Sequence, residues 1–505
     1  GDVAITYSEL DSRANAFAHH LMSIGVKPGD SVALLMHNEP DYLVMLMGCF
    51  KTRAVPINLD VSAHIDELVY VLTLTSVGHI FYASTEAATA DELARLVPNL
   101  LTTANDELLT KTLLEESCER DFEPRSGRDH YILFTGGSTG RPVGVVWRQE
   151  DAFFAALGAG NWSGPPVDRP EQVAGNVLRA NTHVFICSPL RHASAQWVAL
   201  AALLSGATVV LSQSRGFDAE TVLDEIDQHA VTLLSMIGDA FARPLLSELD
   251  AHPQRWDLST LNGIFSGGAV LSKSVSAQLL AHMPTAVIVD SYGSTETGGQ
   301  GRWVTAAGTP VDDEKLAPPR FVVDQSSAVI DEDLKPVEAD SGQIGRIARS
   351  GHVPVKFLAD DETKLSCIFE REGERWVVTH DLGRVTENGA IELLGRENSS
   401  LNSGGKLVQV EEVEAAVANH AAVLDVVVTG TPDEVLGQRI TAVVERRDGH
   451  QVSDDEIRLH CRSQVAGYKV PRDIIWVDKV ERNHLGKLDR GWAKRIVGAP
   501  EHLQS

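Results

Sequence analysis

Residues 131–144 read YILFTGGSTGRPVG. The apolar run is the right length for a buried strand, and it ends in Thr135-Gly136-Gly137-Ser138-Thr139-Gly140. Glycines let a backbone turn tightly and present its N–H groups to an anion, and Ser and Thr hydroxyls add donors. Such a loop suits a polyphosphate. It is not a Walker A loop, because GxxxxGK[ST] occurs nowhere in the chain. Taken alone, a Gly/Ser turn between two strands reads these residues as well.

On both sides of this stretch the first 300 residues alternate between short apolar runs and helical periods. Leu10, Ala14, Phe17, Ala18 and Leu21 follow a helical period, with Gly25 as a stop. Strands are expected at 31–36, 54–59, 130–134, 183–187, 208–211, 231–237 and 286–289, and helices at 42–49, 195–204, 219–228 and 273–282. Short apolar strands separated by helices of this length mean βαβ units and parallel sheets, and this many strands need two sheets or one very wide one. The fold class is therefore α/β: a large N-terminal domain of stacked, mostly parallel βαβ sheets. After about residue 340 the texture changes to hairpin-like segments at 376–380 and 390–394. Helices at 411–419 and 454–464 follow, with strands at 424–429, 440–445 and 473–477. This is a small α+β domain. The junction falls at Gly395-Arg396-Glu397-Asn398, giving domains 1–395 and 396–505.

Composition bounds the rest. A chain of 505 residues, 43% hydrophobic and 23% charged, holds two or three domains with large cores. Its formal net charge of −26 argues against a nucleic-acid binder, which would cluster Lys and Arg on one face. The longest apolar stretch, 197–211, is interrupted by Ser205-Gly206 and falls short of a membrane span, so no transmembrane segment is expected. No signal peptide opens the chain; GDVAITYSEL enters an element almost at once, so native residues are expected to precede Gly1. Cys49, Cys118, Cys187, Cys367 and Cys461 form no CxxC pair and no zinc spacing, which reads as reduced thiols in a cytoplasmic protein.

A second glycine turn, DSYGSTETG at 290–298, also follows an apolar strand. Tyr292 offers a face to a purine, Thr295 a donor to a phosphate, and Glu296 a hard oxygen ligand for Mg²⁺. Together the two turns resemble those of the adenylate-forming enzymes, among them acyl- and aryl-CoA synthetases and nonribosomal peptide adenylation domains. Further motifs follow in the family's order: Ser266-Gly267-Gly268-Ala269, WVVTHDLGR at 376–384 (His380 standing where Gly is usual), Gly395-Arg396, LNSGGKLVQVEEVE at 401–414, and RNHLGKLDR at 482–490. The resemblance covers essentially the whole chain.

The resemblance implies ATP, Mg²⁺ and coenzyme A as the small molecules used, with a carboxylic acid as substrate, and a C-terminal domain that moves. Thr135, Gly136, Gly137, Ser138, Thr139 and Gly140 would wrap the β- and γ-phosphates. Gly267, Gly268 and Ala269 would form the adenine-side turn, with Tyr292 and Gly293 beside it. Thr295 would contact the α-phosphate and Glu296 would ligate Mg²⁺. Asp381 would accept from the ribose hydroxyls with Arg396 close by, and Lys487 would bridge the carboxylate and the α-phosphate. Gly404 and Gly405 would line the pantetheine tunnel. His192, in SPLRHASAQW, matches a position that lines the acyl site, although a histidine after a strand also serves as a packing or capping residue; Trp147 and Trp197 are open between acyl pocket and core.

The wording of 147–154, 188–200 and 237–246 resembles actinobacterial-type fatty-acyl and sterol-side-chain CoA synthetases. Two positions depart from the family: Val143 stands where the phosphate loop carries Lys, and Asn398 where the hinge carries Asp or Lys. Three readings stay open: an acyl-CoA synthetase, an adenylate-only or carrier-protein-loading ligase, and a catalytically weakened nucleotide- or acyl-binding homologue. A homodimer is left open as well. Neither a carrier-protein domain nor a peroxisomal SKL signal follows Lys487 before Ser505.

Overall fold

The computed structural model describes residues 3–105, 116–135, 141–161, 165–175, 181–308 (without 213, 215 and 270), 320–360, 368–396, 400–403, 406–433, 436–482 (without 448) and 488–498. The helix Tyr7–Ser23 buries Ala14, Phe17, Ala18 and Leu21, the face set by the 3.6-residue period. It opens on a capping box: Thr6 accepts from the Glu9 N–H, and Glu9 in turn accepts from the Thr6 N–H. It ends at Ile24, and Gly25, at φ +89°, supplies the left-handed residue that turns the chain out of the helix.

Two layers of parallel strands follow. The first holds Val55–Asn58, Ser31–Leu35, His79–Tyr82 and Leu101–Ala104, in that order across the sheet. The second is the parallel part of a 12-stranded sheet: Val287–Ser294, Gly263–Gly267, Leu233–Met236, His183–Ile186 and Thr208–Leu211 lie side by side in that order. Helices Ala193–Leu204, Ala219–Gln228, Gly238–Ala251 and Lys273–His282 make the crossovers, and their apolar faces pack onto the strands. The helix Ala193–Leu204 is buried on nearly every side because it lies between the layers.

The 12-stranded sheet continues in antiparallel pairing through Gly298–Ala306, Arg320–Val323, Ile391–Arg396, Glu374–Val385, Gly345–Ser350 and Ser327–Ile330. The strand at 130–135, read from its apolar run with the parallel alternation, is instead antiparallel to Val143–Arg148, in a three-stranded sheet with Lys356–Leu358. An apolar run buried on both faces carries no sign of its partner's direction.

The C-terminal part has a five-stranded sheet and a core of its own. Lys406–Gln409, Ser400–Ser403, Gly437–Arg446 and Val423–Asp433 follow in order, and Asp473–Val477 pairs parallel to Gly437–Arg446. Helices Val410–Ala418 and Asp454–Arg462 cover it, with Val413, Val417, Ile457 and Cys461 buried. No helix among the described residues is long and apolar enough to cross a membrane.

Candidate active site

The strands Gly263–Gly267 and Val287–Ser294 run parallel with Ser266 opposite Asp290 and Gly267 opposite Ser291. The two glycine turns therefore leave neighbouring strands at their C-terminal ends, where open α/β sheets bind ligands. They open on a cavity of about 3090 Å³ that reaches the C-terminal sheet. Gly267, Gly268 and Ala269 line one part of it, and Tyr292, Gly293, Thr295 and Glu296 line the next. Gly268 takes φ +85°.

The second turn is held from several directions. At its start the ladder slips between Tyr292 and Gly293, and a side chain at Gly293 would collide with the Gly298 carbonyl. Thr297, buried, accepts from the Ser294 N–H at 3.0 Å. Gly298 sits at φ +69°, and a Cβ there would lie 2.6 Å from the Ala155 carbonyl oxygen, so no L side chain fits. The Trp147 indole N–H donates to the Thr295 carbonyl at 3.0 Å. Arg349, 6% exposed, donates from one Nη to the carbonyls of Thr297 and Gly299 at 2.7 and 2.6 Å. Burial pulls its guanidinium below the usual arginine value, with the Asp324 carboxylate opposing.

Asp381 lies on the strand Glu374–Val385, opposite Arg396 in the ladder. One oxygen accepts from Arg396 Nε at 3.1 Å and the other from the Tyr292 hydroxyl at 2.9 Å. The Asp381 N–H is fixed by Thr379 Oγ1 at 3.1 Å. Tyr292 is buried against Phe321, ring centroids 5.2 Å apart, and burial followed by the Asp381 charge pushes its hydroxyl well above the ordinary range. Desolvation works against the charge on Arg396, but the carboxylates of Asp381 and Glu296 outweigh it and hold it above its usual value. Glu296 therefore lies within electrostatic reach of the Asp381–Arg396 pair. Asp290, also on the cavity wall, is pushed up to about 7, mainly by burial, and the Asp239 charge adds to this.

Thr135 lies at the cavity edge, where its strand ends, and pairs with Val143. Val143, 7% exposed, packs in an apolar cluster with Leu133, Val145 and Trp147. His192 is the N-cap residue of the helix Ala193–Leu204 and lines the cavity beside Trp197. Trp147 is fully buried, edge-on to Trp197 at 6.1 Å, so it braces the turn and is no part of the cavity lining. Apart from Trp147, every described candidate from the sequence lines this one cavity. Gly136, Gly137, Ser138, Thr139, Gly140, Asn398, Gly404, Gly405 and Lys487 lie outside the described residues. The flanks of Lys487 are described: Arg482 bridges Leu488, Arg482 pairs with Asp425 at 2.9 Å, and Arg490 pairs with Glu414 at 2.7 Å.

Reading the sequence misses Arg349, Thr379 and the role of Trp147. A lone arginine or tryptophan in a strand carries no motif; the bonds they make reach carbonyls far away in the chain.

Two family models match this chain: AMP-binding enzyme over residues 1–355, and AMP-binding enzyme C-terminal domain over 412–487. The chain belongs to the AMP-binding enzyme family. A protein of Rhodococcus rhodochrous named 3-oxocholest-4-en-26-oate–CoA ligase is 36% identical over 98% of this chain and 91% of its own. One of Mycolicibacterium smegmatis, named medium/long-chain-fatty-acid–CoA/3-oxocholest-4-en-26-oate–CoA ligase, is 34% identical over 98% and 92%. Among solved structures, an anthranilate CoA ligase in complex with anthranoyl-AMP superposes with a TM-score of 0.83 at 20% identity, covering 98% of this chain and 93% of that one, a likeness of fold.

Proposed function

We propose that this AMP-binding enzyme activates a carboxylic acid, fatty or sterol-derived, with ATP to an acyl-adenylate and passes the acyl group to CoA, releasing AMP and pyrophosphate. The observation that carries the reading is Asp381, buried at the cavity wall with Arg396 and Tyr292 fixing its two oxygens beside the paired glycine turns. A carboxylate held in this way accepts from a pair of vicinal hydroxyls, the group a ribose presents. The names of the two relatives, which match over almost the whole chain, support the acid and the thiol.

Attack of a carboxylate on the α-phosphorus gathers negative charge on nonbridging oxygens and needs positioning and cations more than a covalent protein nucleophile. Thr295 supplies a hydroxyl at the turn and Lys487 the cation that bridges acid and α-phosphate. Thr135 and the loop 136–140 wrap the outer phosphates, and His192 faces the acyl group. Among the described residues no three His, Cys, Asp or Glu side chains cluster as a metal site. Glu296 would thus hold Mg²⁺ together with the substrate's own phosphates, as that ion prefers. When bound, the ion supplies positive charge against the phosphates.

The working units are 1–395 and 396–505, the second with its own sheet and core, and it moves between the two half-reactions. The free thiols of Cys49, Cys118, Cys187 and Cys461 support a cytoplasmic setting. Sedimentation decides whether two copies associate.

A screen of fatty, aromatic and sterol-side-chain acids tests the proposal by pyrophosphate release with and without CoA. Release with a fatty or sterol acid, followed by CoA-dependent thioester, is expected. Adenylate without thioester favours a loading ligase; no release with any acid favours a weakened homologue, a reading that Val143 in the phosphate-loop strand keeps in play.

A further inference from the structure

We propose that His352, oriented by Asp151, is the base that takes the thiol proton when the acyl group passes to CoA; this rests on the acyl-CoA ligase reading above. His352 follows the strand Gly345–Ser350, and its Nδ1 lies 2.9 Å from Asp151 Oδ1. Asp151 is 5% exposed in the helix Gln149–Ala156, and its second oxygen accepts from Arg375 Nη2 at 2.7 Å. The same Arg375 nitrogen donates to the Val353 carbonyl at 2.7 Å, so the arginine fixes both the carboxylate and the chain beside the histidine. The charged groups that meet at the imidazole are Asp151 and, through it, Arg375. A carboxylate at Nδ1 holds the proton of a neutral ring there and leaves the Nε2 lone pair on the opposite edge.

The residue itself lines the cavity. His352 is half exposed, stacks on Phe154 at 4.6 Å, and both residues line the cavity wall. Two linked tethers keep the ring beside the turn that carries Thr295 and Glu296, since Arg349 also donates to the Ala155 carbonyl at 3.4 Å. Ala155, next to Phe154, presses its carbonyl against Gly298, and Arg349, three residues before His352, binds the carbonyls of Thr297 and Gly299.

Thioester formation needs such a group. The thiolate is the nucleophile, and a free thiol with a pKa of about 8.5 is mostly protonated at neutral pH. As the sulfur attacks the acyl carbonyl carbon, the S–H proton passes to His352 Nε2. The bond from that carbon to the phosphate oxygen breaks, AMP leaves with the electron pair, and the imidazolium returns its proton to water.

His352→Asn keeps a donor toward Asp151 and removes the base. In one preparation, ATP–pyrophosphate exchange measures adenylation, and transfer from preformed acyl-AMP to CoA measures the second step. We expect transfer to fall by roughly 10²-fold or more near pH 7, with exchange within about twofold of wild type. The deficit should shrink as pH rises toward about 8.5, where the thiol ionises unaided. Asp151→Asn should show the same selectivity with a smaller loss. Equal losses in both half-reactions, no loss, or a transfer loss that does not change with pH would overturn the assignment. A wild-type enzyme that forms adenylate and no thioester would instead sink the CoA reading on which the proposal stands.

Discussion

The turn at 293–299 and the loop that bears Lys487 are anchored in different ways. The turn is gripped by residues far from it in sequence: Trp147 and Ala155 on one side, Arg349 on the other, with Asp381 tying Tyr292 to Arg396. The anchors that flank Lys487, Arg482–Asp425 and Arg490–Glu414, all lie within the C-terminal sheet and its helices. On the function proposed above, the nucleotide side is built into the large sheet, whereas the cation assigned to Lys487 rides on a unit with its own core. The same proposal has one part stay fixed while the other changes position between steps.

The largest expected effect lies on the riding side. Lys487→Ala should slow adenylation by roughly 10²–10³-fold, the usual loss for one donor aimed at developing charge. Transfer from preformed acyl-AMP should be spared. Equal loss in both steps, read by stopped-flow release of pyrophosphate and of AMP, would break the division of labour between the two regions.

On the fixed side, Arg349→Met leaves the carbonyls of Thr297 and Gly299 without their buried donor. Each orphaned carbonyl costs about 1–3 kcal/mol. We expect a lower melting temperature together with weaker ATP binding, because the turn loosens with the fold. Weaker binding at an unchanged melting temperature would mean that Arg349 is not part of the frame.

Smaller still, Asp381→Ala should raise KM for ATP far more than KM for the acid, by about 1.5–3 kcal/mol for each charge-assisted bond lost. Tyr292→Phe keeps the ring against Phe321 and removes one donor, so it should give the same pattern at about 0.5–1.5 kcal/mol. ATP binding unchanged by calorimetry in Asp381→Ala would remove the carboxylate from the ribose site.

The smallest effect is electrostatic. Asp290 has its pKa raised by burial from 3.8 to about 7. The native state therefore holds a proton that the unfolded chain releases, and stability contributed through this group falls as pH rises from about 4 to 7. Asp290→Asn should melt progressively higher than wild type across that window and by a constant margin above it. Equal melting temperatures at pH 5 and pH 8 would show that the carboxyl is well solvated.

Much of this was legible beforehand because the motifs are local. The strand–turn pairs at 263–269 and 287–298 and the carboxylate in WVVTHDLGR each announce themselves in a few adjacent residues, and all reach the same cavity. What could not be read is carried by contacts between distant segments. Nothing in VVWR foretells that the Trp147 N–H meets the Thr295 carbonyl, nor does ARS announce that Arg349 braces Thr297. The antiparallel pairing of 130–135 with 143–148 was hidden for a related reason: both strands are buried, so neither shows the alternation that gives a sheet's direction away.

The bond from Trp147 to Thr295 gives the molecule a reporter of its own. An indole with no solvent exposure emits to the blue of one in water, and the carbonyl that its N–H meets tunes that emission. Any rearrangement of the turn around a nucleotide therefore registers as a change in colour at Trp147, 148 residues away along the chain. With the other tryptophans replaced by phenylalanine, the protein's own fluorescence would time the filling of its site without an added dye.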